Sequence, residues 1–181
     1  MEPIKLNKVI PSIEKVKLFD KFIDSDYEYC ILMNFHLSMV ESLVKKAHQQ
    51  QKKVIVHIDL THGISNDEFG VEYLCQKLKV DGIISTKRKC VETAKRCHKL
   101  TVLRVFLIDS KSLEQGIDLA NSLKPDFLEV LPAIAYSIFN NIKSRCSIPL
   151  IGGGLIKSKS ELEKALNSGL EAVSLTEWDK L

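Results

Sequence analysis

The feature of this sequence that most constrains its fold is a repeated alternation of short β-branched segments with amphipathic segments of helical length. The alternation is typical of βα units, in which each strand of a parallel sheet is followed by a helix that covers it. Eight segments are predicted to form strands: residues 9–13, 29–34, 54–59, 82–86, 102–109, 127–131, 150–151 and 172–175. Helices are predicted between them at residues 37–51, 67–78, 91–99, 112–123, 134–145 and 158–167.

Eight βα repeats favour a TIM barrel over a doubly wound sheet, because doubly wound sheets usually have about five or six strands. The 181 residues are few for such a barrel, and only five of them follow Thr176. We therefore predict an α/β fold, a compact TIM (β/α)8-like barrel that lacks its last helix. Because no linker or change of composition divides the sequence, residues 1–181 are predicted to form a single βα-barrel domain.

A missing last helix would leave apolar surface bare beside the eighth strand. We expect another subunit or the N-terminal segment to cover this seam, and we therefore predict a homo-oligomer. Trp178 is the candidate anchor, because a large aromatic side chain so near the end of the sequence otherwise gains little by burial.

Composition excludes several classes of protein. The 26 basic and 23 acidic residues give a net charge of only +3, so the chain is not a uniformly basic nucleic-acid binder. No apolar run approaches the roughly 18 residues that cross a membrane, and residues 1–5 do not resemble the start of a signal peptide. We therefore expect a cytoplasmic protein with no membrane partner. The five cysteines show no C-x-x-C spacing, so we expect reduced, mostly buried thiols.

A glycine-rich segment follows the seventh predicted strand, where βα barrels usually bind phosphate groups. Gly152, Gly153 and Gly154 would let backbone N–H groups approach an anion closely. Ser174 and Thr176, at the end of the eighth strand, would complete the site with hydroxyl groups. These five residues are the predicted phosphate-binding residues, and a tight turn without a ligand is the alternative.

Polar residues also occur inside or at the ends of other predicted strands, where barrels of this kind bind ligands. His57 and Asp59 alternate with apolar residues, so both are predicted to face the barrel interior, as ligand contacts or as a satisfied hydrogen-bonding layer. A metal site that combines them with His62 is disfavoured, because the spacing matches no strong metal signature. Glu129 is predicted to face Arg104 as a buried ion pair and is a further ligand candidate.

Two more ligand candidates follow the fourth and fifth strands. Three roles are open for Lys87: it forms a Schiff base, it contacts a ligand, or it is a solvated loop residue. Asp109 either binds hydroxyl groups of a ligand or caps the helix that begins near Ser112. No residue is predicted to be catalytic.

Positive charge is concentrated between Lys87 and Arg104, where seven basic residues accompany one acidic residue, Glu92. We call residues 87–104 the basic segment. Together with Lys45, Lys46, Lys52 and Lys53 it either follows a phosphate backbone or is an ordinary solvated helix face. The candidate RNA-binding residues within it are Arg88, Lys89, Lys95, Arg96 and Lys99.

Several strings, in this order and at these spacings, make the chain resemble the glycerol uptake operon antiterminator family over nearly its whole length. The strings are residues 6–13, 57–60, 62–63, 66–68, 82–87, 106–110, 129–132 and 153–156. The resemblance implies a TIM-barrel-like regulator that responds to glycerol 3-phosphate and acts on the leader mRNA of glycerol-utilisation genes, where it lets transcription pass a terminator. It implies glycerol 3-phosphate as an effector, no cofactor and no catalysis.

The fold also permits a different function, because barrels of this type host many activities. An isomerase or lyase acting on a small phosphorylated metabolite is the main alternative, with Lys87 and either Asp59 or Glu129 as its acid and base. A purely structural or protein-interaction module ranks last, because it leaves the glycines and the polar strand ends without a role.

Overall fold

A computed structural model describes residues 6–181 and shows a closed barrel of eight parallel strands. Each strand pairs with the next one in the sequence, and β8 closes the barrel by pairing with β1, as in the register of Ile10 with Ser174. The predicted (β/α)8-like barrel is therefore confirmed. Within the described residues the strands alternate with seven α-helices, one fewer than the full TIM barrel has.

The strands and helices begin and end as follows. The strands are β1 Val9–Ile13, β2 Tyr29–Leu32, β3 Lys53–His57, β4 Gly82–Ser85, β5 Leu100–Phe106, β6 Phe127–Leu131, β7 Leu150–Gly153 and β8 Ala172–Leu175. The α-helices are α1 Val16–Ile23, α2 Leu37–Gln49, α3 Glu68–Glu72, α4 Arg88–Arg96, α5 Ser110–Leu123, α6 Tyr136–Arg145 and α7 Lys159–Asn167. A π-helix, Tyr73–Lys77, continues α3, and 3-10 turns occupy Ile58–Leu60 and Trp178–Lys180.

Alternation along the strands separates two apolar cores, as the period of a β-strand requires. In β3, Val54 and Val56 pack outward against the helices, together with Ile58 of the following turn, whereas Ile55 belongs to the core inside the barrel. The predicted orientation of this strand is confirmed up to His57. The strand ends there, and the 3-10 turn that follows takes Asp59 out of the regular alternation.

The C-terminal turn Trp178–Lys180 packs against β1 and covers the seam beside β8. Trp178 is only 7% exposed, and its ring packs edge-on against Tyr27, with 5.5 Å between the ring centroids. Lys21 of α1 holds the turn from outside through Asp179, at 2.6 Å. The prediction that Trp178 anchors another subunit is therefore wrong, because the indole is buried within its own chain.

Two smaller findings concern the cysteines and the helices of the described residues. All five cysteines are free, and all except the half-buried Cys97 are buried. Burial raises the pKa of the Cys30 and Cys90 thiols, so both are held in their protonated form. In residues 6–181 no helix is long and apolar enough to cross a membrane.

Candidate ligand site at the barrel mouth

The uppermost layer inside the barrel, at the carboxyl ends of the strands, is polar. Five strands contribute one buried polar side chain each: Ser12, His57, Arg104, Glu129 and Ser174. The layers beneath are apolar and include Ile31, Ile55, Val102, Ile151 and Ala172. Because a buried polar layer costs free energy unless its members find partners, this end of the barrel requires hydrogen bonds or a ligand.

Glu129 is the centre of this layer and is completely buried. Arg104 of the neighbouring strand donates to it through Nε, and Ser174 of β8 donates from Oγ to its other carboxylate oxygen at 2.6 Å. The predicted ion pair between Arg104 and Glu129 is thus present. Glu129 is enclosed by its own partners, so its role is to hold Arg104 and Ser174 in place.

A cavity of about 300 Å³ lies above this layer, on the β7 and β8 side of the mouth. Arg104 and Ser174 line its floor, the loop from Gly154 to Lys157 forms one wall, and Thr176 with Glu177 forms another. The cavity therefore combines two cationic side chains, Arg104 and Lys157, with the hydroxyl groups of Ser12, Ser174 and Thr176. Glu177 is the acidic residue among those that line the cavity, and its carboxylate pairs with Lys180.

The three glycines have different roles. A Cβ at Gly152 would lie 2.4 Å from Leu170 on the outer side of the strand, so this glycine permits packing and does not line the cavity. A Cβ at Gly153 would point inward, 3.0 Å from Ser174 Oγ and 3.1 Å from the Glu129 carboxylate. Only Gly154 borders the cavity.

Gly154 has a φ of +78°, and the next residue, Leu155, is also left-handed at +65°. Left-handed backbone is costly for a residue with a side chain, by roughly 1–2 kcal/mol, and such strain is concentrated at functional sites. In the described part of the chain the N–H groups of Gly154 and Leu155 donate to no protein acceptor, which leaves both available to an anion.

His57 lies in the same polar layer but does not line the cavity. It is 2% exposed, and its Nδ1 has no hydrogen-bond partner among the described residues. Burial, and secondarily the positive charge of Arg104, lowers its pKa to about 4, so the imidazole is neutral at physiological pH. His57 is therefore close enough to Arg104 for its charge to act on the imidazole, and it does not line the cavity.

Asp59 and Lys87 are held by other parts of the chain. Asp59 accepts hydrogen bonds from Ser85 Oγ at 2.7 Å and from both the N–H and the hydroxyl group of Thr86. Lys87 donates from Nζ to Asn66 Oδ1 at 2.6 Å, and it is the N-cap residue of α4. Neither of the two lines the cavity.

Asp109 is the N-cap residue of α5. Capping was one of the two roles that the sequence left open for this residue. Its carboxylate accepts a hydrogen bond from the Ser112 N–H at 2.7 Å, and Ser112 Oγ accepts one from the Asp109 N–H at 3.0 Å. The hydrogen bond from the Ser112 backbone lowers the pKa of Asp109. Asp109 does not line the cavity, so we do not retain it as a ligand residue.

The basic segment forms α4 and most of β5, and its side chains differ in availability. Lys95 donates to the carbonyl oxygens of Leu123 and Lys124 at the end of α5, so its ammonium group stabilises the packing of α4 against α5. Arg88 contacts Glu92 and Ser122. Arg96 is exposed and donates to Thr93 Oγ1 of its own helix at 2.8 Å. Lys89 is exposed, with its Nζ 4.0 Å from Glu68, and Lys99 is half-buried.

The four lysines outside this segment do not extend it into a continuous basic surface. Lys45 pairs with Glu41 and Lys46 with Asp20, both at 2.7 Å, and Lys53 pairs with Glu28. Lys52 donates to the carbonyl oxygens of Ser25 and Tyr27. Their charges are therefore committed to contacts within the chain.

The metal alternative has no support in the described residues, because no cluster of three or more His, Cys, Asp or Glu side chains there could hold an ion. His62 is exposed and forms a backbone bridge with His36, away from the polar layer.

Sequence reasoning missed three contributors to the cavity: Arg104, Lys157 and the strained Leu155. The sequence could have indicated Arg104 as a cavity residue, since an arginine flanked by apolar residues in a strand must face a partner or a ligand. Lys157 lies in the loop before α7, and nothing in the sequence around it distinguishes it from a solvated lysine.

The fold and the site together define a βα-barrel protein with a cavity lined by cationic and hydroxyl side chains at the carboxyl ends of its last two strands. The family model named "Glycerol-3-phosphate responsive antiterminator" matches residues 9–179, and the chain belongs to this family.

Two solved structures of antiterminator proteins agree with this membership. A glycerol uptake operon antiterminator regulatory protein from Listeria monocytogenes str. 4b F2365 is 31% identical, with a TM-score of 0.93 over 99% of this chain and 98% of that one. A glycerol uptake operon antiterminator-related protein from Thermotoga maritima MSB8 is 26% identical, with a TM-score of 0.82 over 94% and 95%. The chain is also similar to the uncharacterized protein YgcP of Escherichia coli K12, with 28% identity over 173 residues, 96% of this chain and 91% of that one.

Proposed function

We propose that this protein is a glycerol-3-phosphate responsive antiterminator that binds the leader mRNA of glycerol-utilisation genes. The observation that carries the proposal is the cavity above Arg104 and Ser174, because it presents cationic and hydroxyl groups where βα barrels hold phosphates. The family and the resemblance to the Listeria protein support this choice of ligand and partner.

In this proposal the phosphate group binds between the loop after β7 and the end of β8. The free N–H groups of Gly154 and Leu155, the Thr176 hydroxyl and the Lys157 ammonium group donate to its oxygens. Arg104 lies beneath and contributes a second positive charge. The glycerol portion then lies toward Ser12 and Met33, on the opposite wall of the cavity.

In this proposal the ligand does not contact His57, Asp59 or Lys87. These residues instead connect the cavity to the helix that carries the basic segment. The charge of Arg104 acts on His57, and two residues after His57 the carboxylate of Asp59 accepts hydrogen bonds from Ser85 and Thr86. Ser85 in turn accepts the N–H of Lys87, at the start of α4. The charge of Arg104 acting on His57, the step along the chain to Asp59 and these hydrogen bonds form the proposed route from the floor of the cavity to the helix that carries the basic segment.

The RNA is proposed to bind α4 through Lys89 and Arg96, assisted by Arg88 and Lys99. A ligand can change RNA affinity only if it binds the RNA-competent state more tightly than the other state, and such coupling is typically about 1–3 kcal/mol. A regulator of transcription that binds mRNA works where transcription occurs, so we propose a cytoplasmic location.

The enzyme alternative needs a lysine and a carboxylate that face the same substrate. Lys87 donates to Asn66 outside the cavity, whereas Glu129 is bound to Arg104 and Ser174 beneath it. Asp59 is likewise held by Ser85 and Thr86. The geometry thus separates the groups that the alternative would combine.

Calorimetric titration tests the ligand, with glycerol 3-phosphate, glycerol and inorganic phosphate as three separate titrants. We expect glycerol 3-phosphate to bind, phosphate to bind more weakly and glycerol to bind weakest, because the anionic contacts contribute most of the affinity. Equal affinity for glycerol and glycerol 3-phosphate would exclude the proposed cavity chemistry. A leader-RNA binding assay with and without glycerol 3-phosphate tests the second half, and RNA affinity that ignores the ligand would contradict it.

A further inference from the structure

A second cavity lies next to the one that holds the proposed phosphate site, on the β1 side of the barrel mouth. It has a volume of about 380 Å³ and is bordered by the start of α1 and by the C-terminal turn Trp178–Lys180. We call it the α1 cavity. Ser12, Thr176 and Glu177 line both cavities, so the two spaces adjoin each other at the ends of β1 and β8.

Ser12 is the residue that most directly indicates a ligand in the α1 cavity. Only 3% of its surface is exposed, and it lines both cavities from near the end of β1. Within residues 6–181 its hydroxyl group forms no hydrogen bond with the protein. Because a buried polar group without a partner costs free energy, this position favours an occupant of the cavity that hydrogen-bonds to Ser12.

The start of α1 brings positive charge to the same cavity. The helix has eight residues, and its N-cap residue, Lys15, provides no side-chain acceptor for the first turn. The N–H groups of Val16 and Lys17 donate to no acceptor in the described part of the chain. The first turn contains no acidic residue, although the dipole of a helix favours acids at this end and disfavours lysines. A bound anion would satisfy these N–H groups and balance the two lysines.

The charged residues that line the α1 cavity differ in availability. Lys15 and Lys17 are exposed, and neither forms an ion pair or a side-chain hydrogen bond with a described residue. Each acidic residue of the lining has a partner: Asp179 pairs with Lys21, Glu177 pairs with Lys180, and Glu14 accepts a hydrogen bond from Asn34. Since the partner of Glu14 is neutral, two free lysines face one uncompensated acid. The cavity therefore has an excess of positive charge.

We infer that the α1 cavity is a second anion-binding subsite, and that the protein prefers a small polyol or sugar with a phosphate group at each end. This subsite rests on the proposed function, which places the first phosphate at Gly154 and Thr176 and the carbon chain toward Ser12. Ser12 lies where the two cavities adjoin, so a longer ligand continues past it into the α1 cavity. The second phosphate then meets Lys15, Lys17 and the N–H groups at the start of α1.

Calorimetric titration of the full chain with two matched pairs of ligands tests this subsite. The pairs are glycerol 1,3-bisphosphate with glycerol 3-phosphate, and fructose 1,6-bisphosphate with fructose 6-phosphate, so that two spacings between phosphates are sampled. We expect the bisphosphate of at least one pair to bind about tenfold or more tightly than its monophosphate, because it gains charge-assisted hydrogen bonds at α1. Equal affinities within both pairs would overturn the inference.

A double variant separates this subsite from a general effect of ligand charge. Lys15→Gln with Lys17→Gln should reduce the affinity for the bisphosphate to that for its monophosphate. Lys143→Gln with Lys164→Gln is the matched control, because it removes the same charge from the last turns of α6 and α7, and it should keep the preference. A preference that persists in the α1 variant, or that both variants lose equally, would show that the second phosphate does not bind at α1.

The failure of the subsite and the failure of the proposed function give different results. If the unmodified protein binds glycerol 3-phosphate without any gain from a second phosphate, only the subsite is excluded. If it does not bind glycerol 3-phosphate at all, the proposed function fails, and the subsite fails with it. Thermal unfolding without ligand checks the fold of the α1 variant. Its midpoint should be unchanged or slightly higher, since cations at a helix N-terminus are unfavourable.

Discussion

Arg104 of β5 and Glu129 of β6 form an ion pair inside the barrel, and Ser174 of β8 donates a hydrogen bond to the same carboxylate at 2.6 Å. Glu129 thereby connects the strands of the cavity floor to the end of β8, where the proposed phosphate site begins. The two side chains of the ion pair are 8% and 0% exposed, so bulk water compensates little of either charge if its partner is removed. This relationship determines both the stability of the barrel mouth and the position of Arg104.

The first prediction concerns the loss of one partner of this pair. Glu129→Gln leaves the guanidinium group of Arg104 buried without a counter-charge, and we expect the free energy of unfolding to fall by about 3 kcal/mol or more. Urea denaturation measures this loss. The matched control is Glu114→Gln, because Glu114 pairs with Arg145 on the surface, and its loss should change the free energy of unfolding much less.

Replacing both partners of the buried pair separates the stability of the fold from ligand binding. Arg104→Leu together with Glu129→Leu should be more stable than Glu129→Gln, since two apolar side chains leave no unpaired charge. The same double variant should bind glycerol 3-phosphate weakly, because the cation on the cavity floor is gone. A double variant with full affinity would show that Arg104 takes no part in binding.

The second prediction concerns pH. The pKa of His57 is about 4 in the folded protein, and it is about 6.5 in an unfolded chain. Between these values the unfolded chain binds a proton that the folded protein does not, so acid favours unfolding. The contribution to stability is complete above about pH 6.5 and is lost as the pH falls toward 4, by about 3 kcal/mol in total.

His57→Gln should reduce this pH dependence, because glutamine does not titrate. Thermal unfolding at several pH values between neutral and acidic measures the difference between variant and unmodified protein, which removes the contribution of the carboxylates. His62→Gln is the control, because His62 is exposed, and its curve should follow the unmodified one. Identical slopes for His57→Gln and the unmodified protein would show that His57 is not held neutral.

The strand pattern allowed the barrel to be predicted, whereas the cavity depended on contacts between distant segments. Alternation placed His57 and Glu129 inside, since strand period alone determines which side a residue faces. Asp59 was assigned wrongly to the interior, because its partners Ser85 and Thr86 come 26 and 27 residues later and hold it in a turn. Lys95 likewise resembled a free surface charge until the fold placed it against the carbonyl groups of α5.

Helix α1 was not predicted, for a related reason. Only Phe19 and Phe22 of its eight residues are buried, which is too short a pattern to establish a helical period. For the three glycines, the sequence predicted the position in the fold but not the packing around them. They were correctly associated with the mouth of the barrel, but the packing of Leu170 behind Gly152 could not be seen in the sequence.

The third prediction concerns the phosphate contacts. Thr176→Val keeps the shape of the side chain and removes its hydroxyl group, and we expect about a tenfold or greater loss of affinity for glycerol 3-phosphate. Lys157→Met should lower the affinity similarly and make the remaining binding less sensitive to salt. Lys164→Met, on the exposed side of α7, is the control and should leave calorimetric titrations unchanged. Full affinity in both cavity variants would move the phosphate elsewhere.

The last prediction concerns the RNA surface, where only some of the basic side chains are free to bind. Lys89→Gln combined with Arg96→Gln should weaken leader-RNA binding and lower the slope of log affinity against log salt by up to about 2, because each lost phosphate contact removes roughly one released ion. Lys164→Gln, on the other side of the barrel, should change neither quantity. Lys95 is unsuitable for this test, since its substitution frees two carbonyl groups at the end of α5. Fluorescence anisotropy over a range of salt concentrations measures the slope, and calorimetry on the same protein should show unchanged glycerol 3-phosphate binding. An unaltered slope in the double variant would place the RNA on a different face of the barrel.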